Sequence, residues 1–356
     1  MLTPASISFL KRLLDTPGPS GFETAPARVW REEAKSFGAE ITADVSGNSM
    51  ATINPQGSPT IMLDGHIDEI GVIVQHIDDE GYVHISPIGG WDPQVLVAQR
   101  IRFITEQGDV FGVIGKKPIH LIKADDREKA TKLTELWVDI GAKNKAEAAA
   151  RLTVGDPGVI DGKAIDFPNG RLVSRSIDDR IGAFVVLEAL RRYAAKPGKA
   201  KVVAVATTQE EIAWNGGGAL VCAQCVGPQM AVVVDVTFAT DHPGLEKKEL
   251  GDHALGGGPV LSRGGLISPV AFRLIRDAAE RMKMPYSLHG VGRDTSTNAD
   301  AIAIAREGIA TALVSIPNRY MHSPNEMVDL ADVDAAAELL AEVCRKLDTS
   351  VDFTDR

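Results

Sequence analysis

The sequence predicts an α/β protein: a mostly parallel sheet with helices on both faces, interrupted by an inserted small β-barrel domain. Two observations carry that expectation. In the outer parts of the chain, apolar strand-like runs alternate with helical patterns, which implies a parallel sheet covered on both faces. From about Gly71 to Pro168 the texture changes to short period-2 segments joined by turns, which suggests a small barrel or sandwich. At 356 residues the chain is long enough for two domains of roughly 150 residues each. The expected division is 1–70 with 165–356 for the α/β domain, and 71–164 for the insert.

The elements follow in order. Ile7, Leu10, Leu13 and Leu14 recur at helical spacing until Pro17-Gly18 ends the helix. Ser20-Gly21-Phe22-Glu23 matches a capping box, in which Ser20 and Glu23 would satisfy each other's amides, and a second helix runs to about Phe37. Short strands over 40–45 and 50–55 flank the turn Ser46-Gly47-Asn48. Thr60–Asp64 reads as a buried strand that delivers His66 at its carboxyl end. The insert contains the strand-like segments 71–77, 82–88, 100–105 and 109–115. Helices are then expected at Asp178–Tyr193, Ala219–Cys225, Ser268–Met284, Thr297–Glu307 and Val333–Leu347. Between them lie strands at Lys201–Thr208, Met230–Asp235 and Ile309–Ser315, with Tyr286–His289 following the helix that ends near Met284.

Composition excludes several classes of function. A net charge of −10 argues against nucleic acid and against an anionic membrane, since both need a basic footprint. Three cysteines cannot form a disulfide framework for a chain this long. Cys222 and Cys225 form a CxxC without a second pair to complete a zinc site, so buried structural thiols are expected rather than redox or metal chemistry. The N-terminus lacks the pattern of a secretory signal, and no run approaches the ~18 apolar residues that span a bilayer. A cytoplasmic protein is expected.

Histidines and carboxylates recur at the ends of the expected strands, where open α/β sheets gather their ligand sites. His66 and Asp68 follow Thr60–Asp64. Glu210 and Glu211 follow Lys201–Thr208. Asp235 closes an apolar run, Asp178 opens a helix, and His322 lies in a loop between Pro317 and Pro324. Each has an ordinary reading: Asp178-Asp179-Arg180 as a capping cluster, Glu210-Glu211 as a solvated pair. Asp235 resists it, because an unpaired carboxylate inside an apolar strand is costly. Two imidazoles with several carboxylates suit zinc, cobalt or manganese. Five ligands exceed what one tetrahedral ion needs if water also binds, so two metals sharing a carboxylate fit better. Of the adjacent glutamates, one can ligate while the other takes a proton from water, and Asp68 can fix the tautomer of His66.

Four blocks and one residue carry a family resemblance. The blocks are Asp64-Gly65-His66-Ile67-Asp68-Glu69-Ile70-Gly71, Ser176-Ile177-Asp178-Asp179-Arg180-Ile181-Gly182, Thr208-Gln209-Glu210-Glu211 and Arg319-Tyr320-Met321-His322-Ser323-Pro324; the residue is Asp235. Together they resemble the tetrahedral (TET) aminopeptidases of metallopeptidase family 42, which include glutamyl and deblocking aminopeptidases and chains labelled endoglucanase. The resemblance implies a zinc-exopeptidase-like fold and a two-metal centre. Asp178 would bridge, His66 and Asp235 would complete one metal site, and Glu211 and His322 the other. Glu210 would be the general base that activates water and then protonates the leaving amine, with Asp68 orienting His66. It also implies peptide substrates with a free N-terminus, an inserted domain that mediates dimer contacts, and dimers that assemble into a dodecamer.

Two segments depart from the family pattern. Where Glu-Glu-Val-Gly followed by Arg-Gly-Ala is common, this chain reads Glu211-Ile212-Ala213-Trp214-Asn215-Gly216-Gly217-Gly218-Ala219. Asn298 stands in place of a usual acidic residue. Two other readings compete with the aminopeptidase. A metal-independent glycoside hydrolase would use the paired glutamates but lacks the usual aromatic platforms, with only four Trp and four Tyr. A non-catalytic peptide-binding assembly protein would not need the base.

Overall fold

The computed structural model describes residues 1–213 and 216–354; Trp214 and Asn215, within the altered segment after Glu211, lie outside the described residues. Strands β1 (Glu40–Ala43), β2 (Ser49–Ile53) and β3 (Thr60–His66) begin the large sheet. β4 (Gly71–Ile77), β5 (Val83–Ile88), β6 (Arg100–Thr105), β7 (Gly108–Gly115), β8 (Trp137–Asp139) and β9 (Pro157–Ile160) close into an antiparallel barrel, in the order β4-β5-β8-β7-β6-β9. After β10 (Ile165–Phe167) and β11 (Arg171–Ser174), the large sheet resumes with β12 (Lys201–Thr207), β13 (Met230–Phe238), β14 (Val260–Gly264), β15 (Ser287–Val291) and β16 (Ala310–Asn318). β17 (Glu326–Asp329) joins β10 and β11 in a small third sheet.

The large sheet has the order β1-β2-β12-β3-β13-β16-β14-β15. Its centre, β12-β3-β13-β16, is parallel throughout, and antiparallel pairings enter only toward the edges. The central strands are buried almost end to end, because helices cover both faces; hence their continuous apolar runs. On one face lie α1 (Pro4–Asp15), α2 (Thr24–Lys35), α3 (Ile177–Ala195), α5 (Pro269–Met282) and α7 (Leu330–Lys346); α4 (Gly217–Val226) and α6 (Asn298–Ala303) lie on the other. α3 is buried around nearly its whole circumference, as befits a helix wedged between a sheet and other helices. Among the described residues no helix is long and apolar enough to cross a membrane.

The α/β class and the barrel match the expectation, and several details do not. Ser20 and Glu23 form no capping box. The Ser20 hydroxyl instead donates to Asp68 Oδ2 at 2.6 Å, and Glu23 Oε1 accepts from the Gly21 and Gln209 amides at 2.7 and 3.1 Å. Both side chains serve long-range partners that local spacing cannot reveal. The helix expected over 297–307 covers only Asn298–Ala303, since Arg306 and Gly308 take left-handed backbone (φ 56 and 93). β13 runs beyond Asp235 to Phe238, while β14 and β17 had no expected counterpart. Of the CxxC cysteines, Cys222 is buried but Cys225 is exposed, so the buried reading holds for one of the two.

Candidate metal centre

Parallel register puts the chemistry at one edge. His66 pairs with Thr207, Asp235 with Ser315, and Asp64 with Val233, so the carboxyl ends of β3, β12, β13 and β16 lie side by side. Glu210 and Glu211 follow β12, and His322 follows β16. Asp178 comes from the start of α3, where it and Asp179 leave helical geometry (ψ 110 and 39). It therefore does not sit in a regular first turn, contrary to the simple helix-start expectation. Its carboxylate reaches toward the strand ends.

Asp178 lies at the middle of the cluster. Its Oδ1 is 3.2 Å from His66 Nε2 and its Oδ2 is 3.3 Å from His322 Nε2. Glu211 Oε1 is also 3.3 Å from His322 Nε2, and Glu210 Oε2 is 3.7 Å from His66 Nε2. Donor atoms of His66, Glu210 and Asp235 lie within 4.8 Å of one another, and so do those of His66, Asp178 and Glu211. All the expected site residues are thus brought together. Distance alone does not separate Glu210 from the ligands.

A shell of buried groups fixes these side chains. Asp68 Oδ1 is 3.3 Å from His66 Nδ1, as expected for an orienting carboxylate. It also accepts the backbone amides of Glu210 and Glu211, each at 3.2 Å, a role that sequence reasoning missed. Three further residues were missed. Glu326 accepts from the amides of Asp178 and His322, both at 3.1 Å. Asp179 accepts from the amides of His66 and Gly182 at 3.3 and 3.0 Å. The Gly90 carbonyl, in the segment after β5 of the barrel, lies 2.8 Å from His322 Nδ1 and fixes the tautomer that leaves Nε2 facing the cluster. Glu326 and Gly90 carry no local signal; Asp179 sits in a motif but reads as a cap.

The electrostatics require compensation. Burial pushes Glu210 up to about 8, with Glu211, Asp178 and Asp68 adding repulsion against the opposing pull of His66. Burial, then Asp178, raises Asp235 and Glu326 well above the carboxylate range. Burial disfavours a charged His322, yet Asp178 and Glu211 hold its ring up to about 11. So many acids around two imidazoles are stable together only if protonated or if cations neutralise them. Buried Glu211 Oε1 makes no well-formed hydrogen bond, which leaves lone pairs free inside the cluster. The mixed nitrogen and oxygen set fits divalent transition metals.

A parallel α/β sheet with such a cluster at its carboxyl edge belongs to the class of metal-dependent hydrolases. Comparison with known proteins is more specific. Residues 47–339 match the family described as M42 glutamyl aminopeptidase, and the chain belongs to that family. It is 34% identical over 348 residues to a lysyl aminopeptidase of Pyrococcus furiosus, covering 97% of this chain and 98% of the relative. A TET aminopeptidase from the marine sediment archaeon Thaumarchaeota archaeon SCGC AB-539-E09 superposes with a TM-score of 0.92 at 32% identity, covering 97% of both chains. The TET1 peptidase of Pyrococcus horikoshii, described as assembling into a tetrahedron or a large octahedral shell, gives 0.83 at 28% identity, covering 96% of this chain and 100% of that one. The chain is a metal-dependent aminopeptidase, and family membership does not favour the sugar-cleaving or binding-only alternatives.

Proposed function

We propose that His66, Asp178, Glu211, Asp235 and His322 hold two divalent cations, with Asp178 between them and Glu210 as the general base. The observation that carries this reading is the Asp178 carboxylate, whose two oxygens address different imidazoles at 3.2 and 3.3 Å. The cations, zinc or cobalt by the donor set and manganese as a third fit, would supply charge neutralisation and Lewis acidity toward the scissile carbonyl. Glu210, held by its amide on Asp68, takes the proton from the attacking water and gives it to the leaving amine. Asp68 keeps His66 in one tautomer. The substrate is a peptide with a free N-terminus.

Two further parts of the reading concern the whole chain. The residues of 71–164 form an inserted domain for assembly, leaving 1–70 and 165–356 as the catalytic domain. Exposed Phe111 and Val113 on β7, 56% and 47% accessible, support an interface there, and a homo-oligomer is expected, a dimer or a tetrahedral dodecamer assembled from dimers. A reducing cytoplasmic setting agrees with the three free cysteines.

The test is Glu210→Gln. With metal content by mass spectrometry near two ions per chain, turnover of an aminoacyl chromogenic substrate should fall by about 10²–10⁴-fold, and chelation of the unaltered enzyme should abolish activity. Near-normal turnover in the variant would remove Glu210 as the base.

A further inference from the structure

The mechanism leaves open what recognises the side chain of the N-terminal residue. A cavity of about 410 Å³ adjoins the cluster, bordered by Asp178, Glu210, Glu211, Asp235 and His322. A larger one, about 680 Å³, touches only Glu210 and Glu211 of that set and is bordered on its other side by Leu266, Asp294 and Ile304. The scissile carbonyl must sit among the ligands, and the residue on its amino side must lie beside them. The smaller cavity is where both conditions meet. The larger one, reached only past the two glutamates, suits the departing peptide.

Away from the cluster, the smaller cavity is walled by Val236 and Phe238 of β13, Leu250 and Met321, by His289 of β15, and by four hydroxyl side chains, Thr237 and Thr295-Ser296-Thr297. Extension of β13 past Asp235 is what turns Val236 and Phe238 into wall residues. The ring of His289 is braced edge-on by His253, with centroids 5.7 Å apart at 76°, and His253 Nδ1 lies 2.8 Å from Ser287 Oγ. Among the described residues that border this cavity there is no Lys or Arg, and every carboxylate belongs to the cluster. An acidic guest would find no cation on the wall and would face the cluster's own carboxylates. A basic guest would find Asp178, Glu211 and Asp235 taken up as ligands and Glu210 turned to the attacking water. Either would be desolvated with hydroxyls but no counter-ion to receive its charge, which is costly, whereas an apolar guest gains by burial against Val236, Phe238, Leu250 and Met321.

We propose that this cavity receives the side chain of the N-terminal residue and selects uncharged, apolar side chains of the Leu, Met and Phe class. The proposal rests on the reading of the cluster as the reaction centre. It is tested with the metal-loaded full chain on p-nitroanilides of Leu, Met, Phe, Lys, Arg and Glu. kcat/KM for the best apolar substrate should exceed that for Lys, Arg and Glu by roughly tenfold or more. Leu250→Arg and, as a second variant at an exposed position, Phe238→Arg should each move the Glu-to-Leu ratio of kcat/KM upward by about tenfold. Chelator-sensitive activity that is highest on a charged substrate overturns the selectivity while leaving the reaction centre in place. A Glu-to-Leu ratio unmoved in both variants overturns the assignment of this cavity. Failure of the metal-loaded protein to cleave any of the six overturns the reaction centre itself.

Discussion

At the scale of single residues, His66, Glu211 and Asp235 are legible because each ends or follows an apolar strand, where a bare carboxylate or imidazole is out of place, whereas Asp178 at a helix start and His322 in a proline-bounded loop are legible only through the family blocks that contain them. Their supports are not legible. Glu326 meets Asp178 across 148 positions of sequence and Gly90 meets His322 across 232, and nothing local marks either contact. Asp68 lies between these cases: its nearness to His66 suggests an orienting role, but its grip on the amides of Glu210 and Glu211 could come only from the fold. That grip makes Asp68 the residue on which both halves of the cluster depend. In Asp68→Ala, the Ser20 hydroxyl and two backbone amides lose their acceptor, each left buried at a cost of about 1–3 kcal/mol, and His66 loses its tautomer partner. Metal affinity should fall by about 10–100-fold, read by titration of the metal-free protein in a metal buffer. Unchanged affinity would show that Asp68 is only a folding residue.

At the scale of elements, the central strands read clearly because burial on both faces leaves uninterrupted apolar runs, and the helices between them follow. The short pieces fail for the complementary reason. β14 and β17 are only five and four residues long, so pairing rather than pattern defines them. The close approach of β3 and α3 also escapes sequence reading, although its glycine is visible in the Asp64-Gly65-His66 block. A Cβ on Gly65 would stand 2.4 Å from the carbonyl carbon of Gly182 and 2.5 Å from the amide nitrogen of Ala183. Both are backbone atoms, which cannot swing aside. This contact lets His66 and Asp178 come within 3.2 Å. Gly65→Ala should therefore cost about 1–3 kcal/mol by overpacking, seen as a lower urea midpoint with an unchanged slope for the metal-free protein. It should weaken metal binding as well, because the strand and helix must separate. A variant as stable as the parent would mean that the approach is looser than the geometry indicates.

At the scale of the whole molecule, the cluster ties stability to both pH and metal. In the metal-free state Glu210 is raised from 4.5 to about 8, by burial first, and Asp235, Glu326 and Asp179 are raised well above the usual range for the same leading reason. A carboxyl group raised on folding adds stability while it is protonated, and that contribution is lost as pH climbs through the folded value. For Glu210 the window runs from 4.5 to about 8. His322, held up to about 11 against a usual 6.5 despite burial, contributes fully below 6.5 and loses that contribution as pH approaches 11. Both therefore weaken the metal-free fold as pH rises through neutrality. Asp178 and Asp68 are lowered from 3.8, against burial, chiefly by the imidazoles; their titration is complete below that value and does not enter the window. Cations act in the opposite sense. They require their ligands deprotonated, Asp235 and His322 among these groups, so binding expels protons and affinity climbs with pH, and a ligand bound only by the folded state stabilises it in proportion to that affinity. The melting temperature of the zinc- or cobalt-loaded protein minus that of the chelated protein should therefore widen from about pH 6 to about pH 8.5 at fixed free metal. Scanning calorimetry across that range measures it directly, and a gap that stays constant or narrows would mean that the metals do not take their protons from Asp235 and His322.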